Sequence, residues 1–194
     1  MNIVLDVVRP KSTSRPSAVA EVVDWSSLEA WVLASFEDKL LLRELRALEK
    51  VELSSVWNRT EKSLQRHTRS AALPSLEIHR RLTEGLPGET LLMSASMFLD
   101  TLSAAEDFFH LSFKTIKSKL GRTLDVGESE LVLRAARAVA AASQVLNGFD
   151  AARRYMHTRN FALGGRTPVD LLRTAEGERL VLNELHAQAE GGPL

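Results

Sequence analysis

Cysteine is absent from the chain. That excludes disulfide staples and thiolate metal sites, and makes a reducing, cytoplasmic setting the expectation. Excess charge is absent too: 25 basic side chains balance 25 acidic ones over 194 residues. Whole-chain electrostatics therefore point to neither a nucleic acid nor a membrane surface, and only local clustering can do so. Long apolar runs are missing. No window approaches the roughly 18 consecutive apolar residues of a membrane span, and "MNIVLDVVRPKSTSRPSA" lacks the charged start, long apolar stretch and cleavage site of a signal peptide. Catalytic patterns are missing as well. His67, His79, His110, His157 and His186 stand singly, without a His-Glu-x-x-His pair, and no serine sits in a Gly-x-Ser-x-Gly elbow. Glu128 and Glu130 are explained by a helix start, where the dipole favours acids. The expectation is a soluble non-enzyme with no cofactor and no metal.

What is present is helical pattern. Residues 2–8 suit a short strand, and "RPKSTSRPS" a linker. From Ser26, whose capping box closes on Glu29, the apolar positions Leu28, Trp31, Val32, Phe36, Leu40 and Leu48 predict a helix running beyond Lys50. Val56, Trp57 and Leu64 predict a second helix with a basic outer side from Arg59, Lys62, Arg66 and Arg69. Trp25, Trp31 and Trp57 read as core of this N-terminal unit. "SLEIHRRLTEG" ends at Gly85. "ETLLMSASMFLDTLSAAEDFF" follows, with an expected break near Ser94 to Ser96, and "HLS" separates it from "FKTIKSKL". "ESELVLRAARAVAAASQVLNG" is the strongest helix, its small face formed by Ala135, Ala138 and Ala142. Asp150 is the expected N-cap of "AARRYMHT". The fold class is all-α, in three segments: an N-terminal helical extension over 1–74, a helix-turn-helix-like unit over 75–126, and a C-terminal helical unit over 127–194.

The most specific stretch is "NFALGGRTPVDLLRTAEGERLV". Gly164 and Gly165 suit a turn with positive φ. Thr167 with Pro168 starts one short helix, and Thr174 starts the next. Leu171 and Leu172 point inward. Gly177 inside a helix costs roughly 1 kcal/mol against alanine, so close contact with a neighbouring backbone is its expected compensation, on the face shared with Val181. A phosphate loop is excluded, because no strand precedes the glycines and no lysine follows to reach a phosphate.

The order "DAARRYMHTRNFALGGRTPVDLLRTAEGERLVLNEL" resembles the C-terminal toxin-binding domain of the Xre/MbcA/ParS antitoxins, with fainter similarity back to about residue 79. Two features depart from the family. Tyr155 stands where tryptophan is usual, and "HAQAEGGPL" lacks the arginine-isoleucine pair before the closing glycine. The resemblance implies a type II antitoxin that blocks the active site of a RES-domain toxin, an enzyme acting on NAD. It places the contact surface at Arg153, Arg154, Tyr155, Asn160, Leu163, Gly164, Gly165, Arg166, Thr167, Pro168, Leu172, Gly177, Val181 and Leu185. Such antitoxins commonly carry an Xre-like helix-turn-helix and repress their own operon.

A matching basic helix is present. Lys114, Lys117, Lys119 and Arg122 bring positive charge with no acid between them, while Phe113, Ile116 and Leu120 face inward. With Ser112, Thr115 and Ser118 they suit a helix in the major groove, and they equally suit a solvated basic face. Operator DNA, bound by a homodimer at a near-palindromic site, is the partner the resemblance adds. A helix-turn-helix regulator without a toxin is the competing reading, and no membrane partner is expected.

Overall fold

The computed structural model describes residues 36–48, 51–67 and 75–191. The expected strand over 2–8, the capping box at Ser26 and Glu29, and the roles of Trp25 and Trp31 lie outside those residues. Ten α-helices and one 3-10 turn make up the regular structure there. The only β pairing among the described residues is two single bridges.

Helix α1, Lys39–Arg46, starts at its own cap, Asp38. Phe36 and Glu37 form a turn, and the Asp38 carboxylate accepts from the Leu40 and Leu41 amides at 2.9 and 3.1 Å. This corrects the single helix expected from Ser26 past Lys50. An aspartate that satisfies two orphan amides at once starts a helix better than it continues one. Leu40 consequently points outward, 62% exposed, while Leu41 and Leu45 are buried.

Helices α2 (Leu53–His67) and α3 (Ser75–Glu84) lead to α4 (Thr90–Phe98), all of whose residues are buried. A helix apolar all round belongs in the centre of a core, and α4 packs against α2 and against two later helices, α7 (Val126–Val145) and α8 (Phe149–His157). The expected break at Ser94 to Ser96 does not occur. Ser96 donates its hydroxyl back to the Met93 carbonyl at 2.7 Å, and Ser94 donates to Val132 at 3.4 Å, so neither leaves a polar group unmet. The chain breaks instead at Leu99, before Thr101 caps α5 (Leu102–Phe109).

Helix α7, Val126–Val145, is the spine. Asp125 and Glu128 form a reciprocal capping box at its start. Ala135, Ala138 and Ala142 are fully buried, and α3, α4, α8 and α10 all pack on this helix. Helix α8, Phe149–His157, begins one residue before Asp150, with Gly148 at the N-cap position, so Asp150 supplies charge in the first turn and not the cap. The 3-10 turn Phe161–Leu163, α9 (Pro168–Leu171) and α10 (Ala175–Ala189) complete the chain. One hydrophobic cluster runs through all three segments, from Phe36 to Leu185. Trp57 belongs to it and stacks at a tilt on Phe149, ring centres 4.7 Å apart, joining the extension to the C-terminal helices.

Long-range bonds between helix ends and cations fix these elements. Arg153 on α8 donates to the Ser96 carbonyl at 3.0 Å, and a His157 ring nitrogen lies 2.7 Å from the Phe98 carbonyl. Both sit at the C-terminal end of α4, where the dipole favours the Arg153 guanidinium. Arg134 on α7 reaches the Leu172 and Arg173 carbonyls at 3.4 Å. The corner after α9 is therefore tied to the spine.

Candidate functional site

Two surfaces combine exposed charge with a defined backbone, and the first is the turn between α8 and α9. Asn160 organises it. Its amide N–H donates to the Arg166 carbonyl at 3.1 Å, and its own carbonyl accepts from Gly165 at 2.9 Å and Leu163 at 3.1 Å. Its side-chain oxygen accepts from the Ala162 amide at 2.8 Å, and its side-chain nitrogen donates to Glu184 on α10 at 2.8 Å. Gly164 and Gly165 take φ of +67° and +74°, which closes the loop in the left-handed region as their sequence predicts.

Glu184 also accepts from the Tyr155 hydroxyl. Burial first, and then the Glu184 carboxylate, push the Tyr155 phenol far above its usual range, so it remains a protonated donor at any physiological pH. The aromatic anchor at this position thus keeps a satisfied polar tip. Below it, Thr167 caps α9 with Pro168 in its first turn, and Thr174 caps α10 by accepting from Gly177 at 3.0 Å. A Cβ on Gly177 would lie 1.8 Å from the Leu171 carbonyl oxygen. The expected backbone contact is therefore present, and only glycine fits it. Burial raises the Glu178 carboxyl, against which Arg137 and Arg134 act in the opposite direction.

The residues expected at the contact surface divide into a buried set, a half-buried set of Arg153, Tyr155, Asn160, Gly165 and Thr167, and an exposed set. Leu163, Pro168, Leu172, Gly177, Val181 and Leu185 are buried. They set the shape of the surface and do not form its outside, because the apolar stripe of α10 is what holds the turn against α8. Arg153 is likewise committed inward: its side chain is 17% exposed and pairs with Asp100. Arg154 and Arg166 are exposed, as are Gly164 and the neighbouring Arg159, which no sequence pattern singles out. None of these three guanidinium groups has a partner among the described residues. Phe161, equally unmarked by pattern, is 98% exposed. Its signal in the sequence is negative: His157, Thr158, Gly164 and Gly165 stand three and four residues away, so no apolar partner lies at helical spacing.

The second surface is α6, Phe113–Lys119. Three residues separate it from α5, with His110 in the left-handed region at φ 54°. Ser112 caps α6 by accepting from the Thr115 amide at 3.2 Å, and the Glu106 carboxylate on α5 accepts the Phe113 amide. Ile116 is buried, while Phe113 and Leu120 are half-buried. Lys114, Lys117, Ser118 and Arg122 are exposed on the outer side. Thr115 is half-buried, its hydroxyl 2.9 Å from that of Ser112. Lys119 departs from expectation: it pairs with Glu128 at 2.5 Å and is largely covered. The capping-box acid of α7 neutralises it, so it carries no free charge to the outer face. The end of α6 is seated tightly. The Gly88 amide donates to the Arg122 carbonyl at 2.8 Å, and a Cβ on Gly88 would lie 1.9 Å from the Lys119 carbonyl oxygen. Buried Glu89 accepts from Gly121 at 2.9 Å and from Arg46 of α1 at 2.8 Å.

No cluster of three or more His, Asp or Glu that could hold a metal ion occurs among the described residues. No described helix is long and apolar enough to cross a membrane. Compared with known families, residues 141–191 match the antitoxin Xre/MbcA/ParS C-terminal toxin-binding domain. The match starts in the last turn and a half of α7 and contains the whole first surface, while α6 lies outside it. No curated protein matches the chain.

Proposed function

We propose, from the match of residues 141–191 to the antitoxin Xre/MbcA/ParS C-terminal toxin-binding domain, that this chain is an antitoxin whose partner is a RES-domain toxin and that it blocks that toxin's active site. The observation that carries the reading is the turn at Asn160 to Arg166, a pinned backbone surrounded by the unpaired guanidinium groups of Arg154, Arg159 and Arg166. Guanidinium forks suit a cleft built for phosphate chemistry when that cleft offers carboxylates or carbonyls to meet them. A surface fixed before binding loses little entropy on association, which favours a tight inhibitory complex. The chain acts by occupying the cleft and needs no reactive group of its own.

The test is neutralisation in cells. Co-expression with a growth-arresting RES-domain toxin is expected to restore growth. The double variant Arg154→Glu/Arg166→Glu is expected to lose that rescue while keeping the wild-type melting temperature, because both side chains are exposed. Full rescue by the double variant rules out the arginine contact.

We further propose that α5 and α6 form a helix-turn-helix that binds operator DNA as a homodimer and represses the operon. The three-residue turn, the Ser112 cap and the outward Lys114, Lys117, Ser118 and Arg122 support it. A recognition helix presenting its N-terminal half to base edges and its lysines to phosphates is the expected mode. Fluorescence anisotropy on the promoter DNA, titrated with salt, is the measurement. Affinity that ignores salt would sink this reading.

A further inference from the structure

Phe161 is the most exposed large apolar side chain among the described residues, at 98%. It is also among the most firmly mounted. Its carbonyl accepts from Gly164 at 3.0 Å, the residue before it makes five hydrogen bonds including one to Glu184, and the loop closes through the Asn160 to Arg166 bridge. Arg159 stands two positions before it, and Arg166 is brought beside Asn160 by that bridge.

The geometry points to Phe161 as the anchor residue of the toxin interface, inserted into an apolar pocket with an acidic rim on the toxin, with Arg159 and Arg166 on the flanks. This inference rests on the reading of residues 141–191 as a toxin-binding domain. Three features choose this occupant. An aromatic ring flanked by arginines has the composition of an interface hot spot. The mount is rigid, so the ring enters a pocket with little ordering loss. A second copy of the chain is disfavoured by charge: a two-fold contact centred on Phe161 would bring Arg159 and Arg166 of one copy close to those of the other. A partner with carboxylates at the pocket rim meets those groups instead.

The experiment compares the full-length wild-type chain with Phe161→Ala and Phe161→Leu. Each is titrated calorimetrically against the RES-domain toxin whose arrest the wild-type chain relieves, with the toxin inactivated by substitution. Phe161→Ala is expected to weaken binding about 30-fold or more, with an unchanged melting temperature since the ring is almost wholly in solvent in the free chain. Phe161→Leu is expected to stay within several-fold of wild type. Wild-type affinity for Phe161→Ala overturns the anchor while leaving the toxin-binding reading intact. Failure of the wild-type chain to bind or relieve any RES-domain toxin overturns that reading, and the anchor with it. Sedimentation equilibrium supplies a further arm: if Phe161→Ala dissociates a dimer and leaves toxin affinity alone, the occupant is a second copy and the proposal is wrong.

Discussion

The two cationic surfaces of this chain are built differently, and the difference says what each can recognise. On α6 the exposed charges are Lys114 and Lys117 on a short regular helix, with Arg122 just beyond it, and no large apolar side chain stands exposed among them. Around the Asn160 to Arg166 turn the exposed cations are arginines, the backbone is irregular but cross-linked, and a bare phenyl ring stands among them. Lysines are compact, strongly hydrated charges suited to phosphates at a distance, whereas arginines beside an aromatic ring suit a desolvated protein interface. The α6 surface should show its partner through salt dependence, the turn through shape.

The strongest test of that contrast is to destroy the mount of the Asn160 to Arg166 turn. Gly177→Ala places a methyl group 1.8 Å from the Leu171 carbonyl oxygen and 2.6 Å from its carbon. Backbone atoms cannot swing aside as a long side chain does, so α9 and α10 must separate. We expect a loss of about 3 kcal/mol or more in denaturant unfolding, at the upper end of overpacking effects. An unchanged midpoint would mean that the α9 to α10 corner is not packed as described.

A smaller loss should follow from Glu184→Ala, which removes the acceptor shared by Tyr155 and Asn160 while leaving the backbone alone. Three donors, those two and the Gln188 side-chain amide, are then without their carboxylate at a half-buried position, for an expected cost of about 2 kcal/mol. Amide exchange should accelerate most at Ala162 and Gly165, whose acceptors are Asn160 oxygens. Exchange unchanged at those amides would show that the turn is held without Glu184.

Lys114→Ala/Lys117→Ala leaves stability alone, because both side chains are exposed and neither is in an ion pair given by the structure. For promoter DNA, the slope of log affinity against log salt should fall by about 2, close to one for each phosphate that is no longer neutralised. A slope equal to wild type would reduce the helix to a solvated basic face.

What is legible in the sequence is local. Thr167 before Pro168, Thr174 before Gly177, and the paired glycines each obey a rule that spans four residues or fewer, and each holds. The alanine face of α7 is legible because helical period alone selects it. Features set by distant partners are not. Arg153 has the pattern of a surface arginine, and only its acceptors at Ser96, Leu99 and Asp100, 57, 54 and 53 residues away in the chain, draw it inward. The continuity of α4 through its serines depends on acceptors as distant as Val132. Phe161 escapes sequence patterns for the opposite reason: they detect apolar residues by their partners, and this one has none.

Lys119 gives the finest test, since it separates a basic residue from a basic surface. Sequence spacing groups it with Lys114 and Lys117, yet its ammonium pairs with Glu128 at 2.5 Å and the pair is mostly covered. If the electrostatic face is what remains exposed, Lys119→Ala should leave the salt slope of DNA binding at the wild-type value. It should instead cost stability, by about 1 kcal/mol or less for a pair at the edge of solvent. A drop in slope equal to that of Lys114→Ala would mean that the ion pair opens on DNA and that Lys119 joins the interface. An unchanged slope with a small loss of stability would assign Lys119 to the joint between α6 and the capping box of α7, where it fixes the angle at which the other lysines are presented.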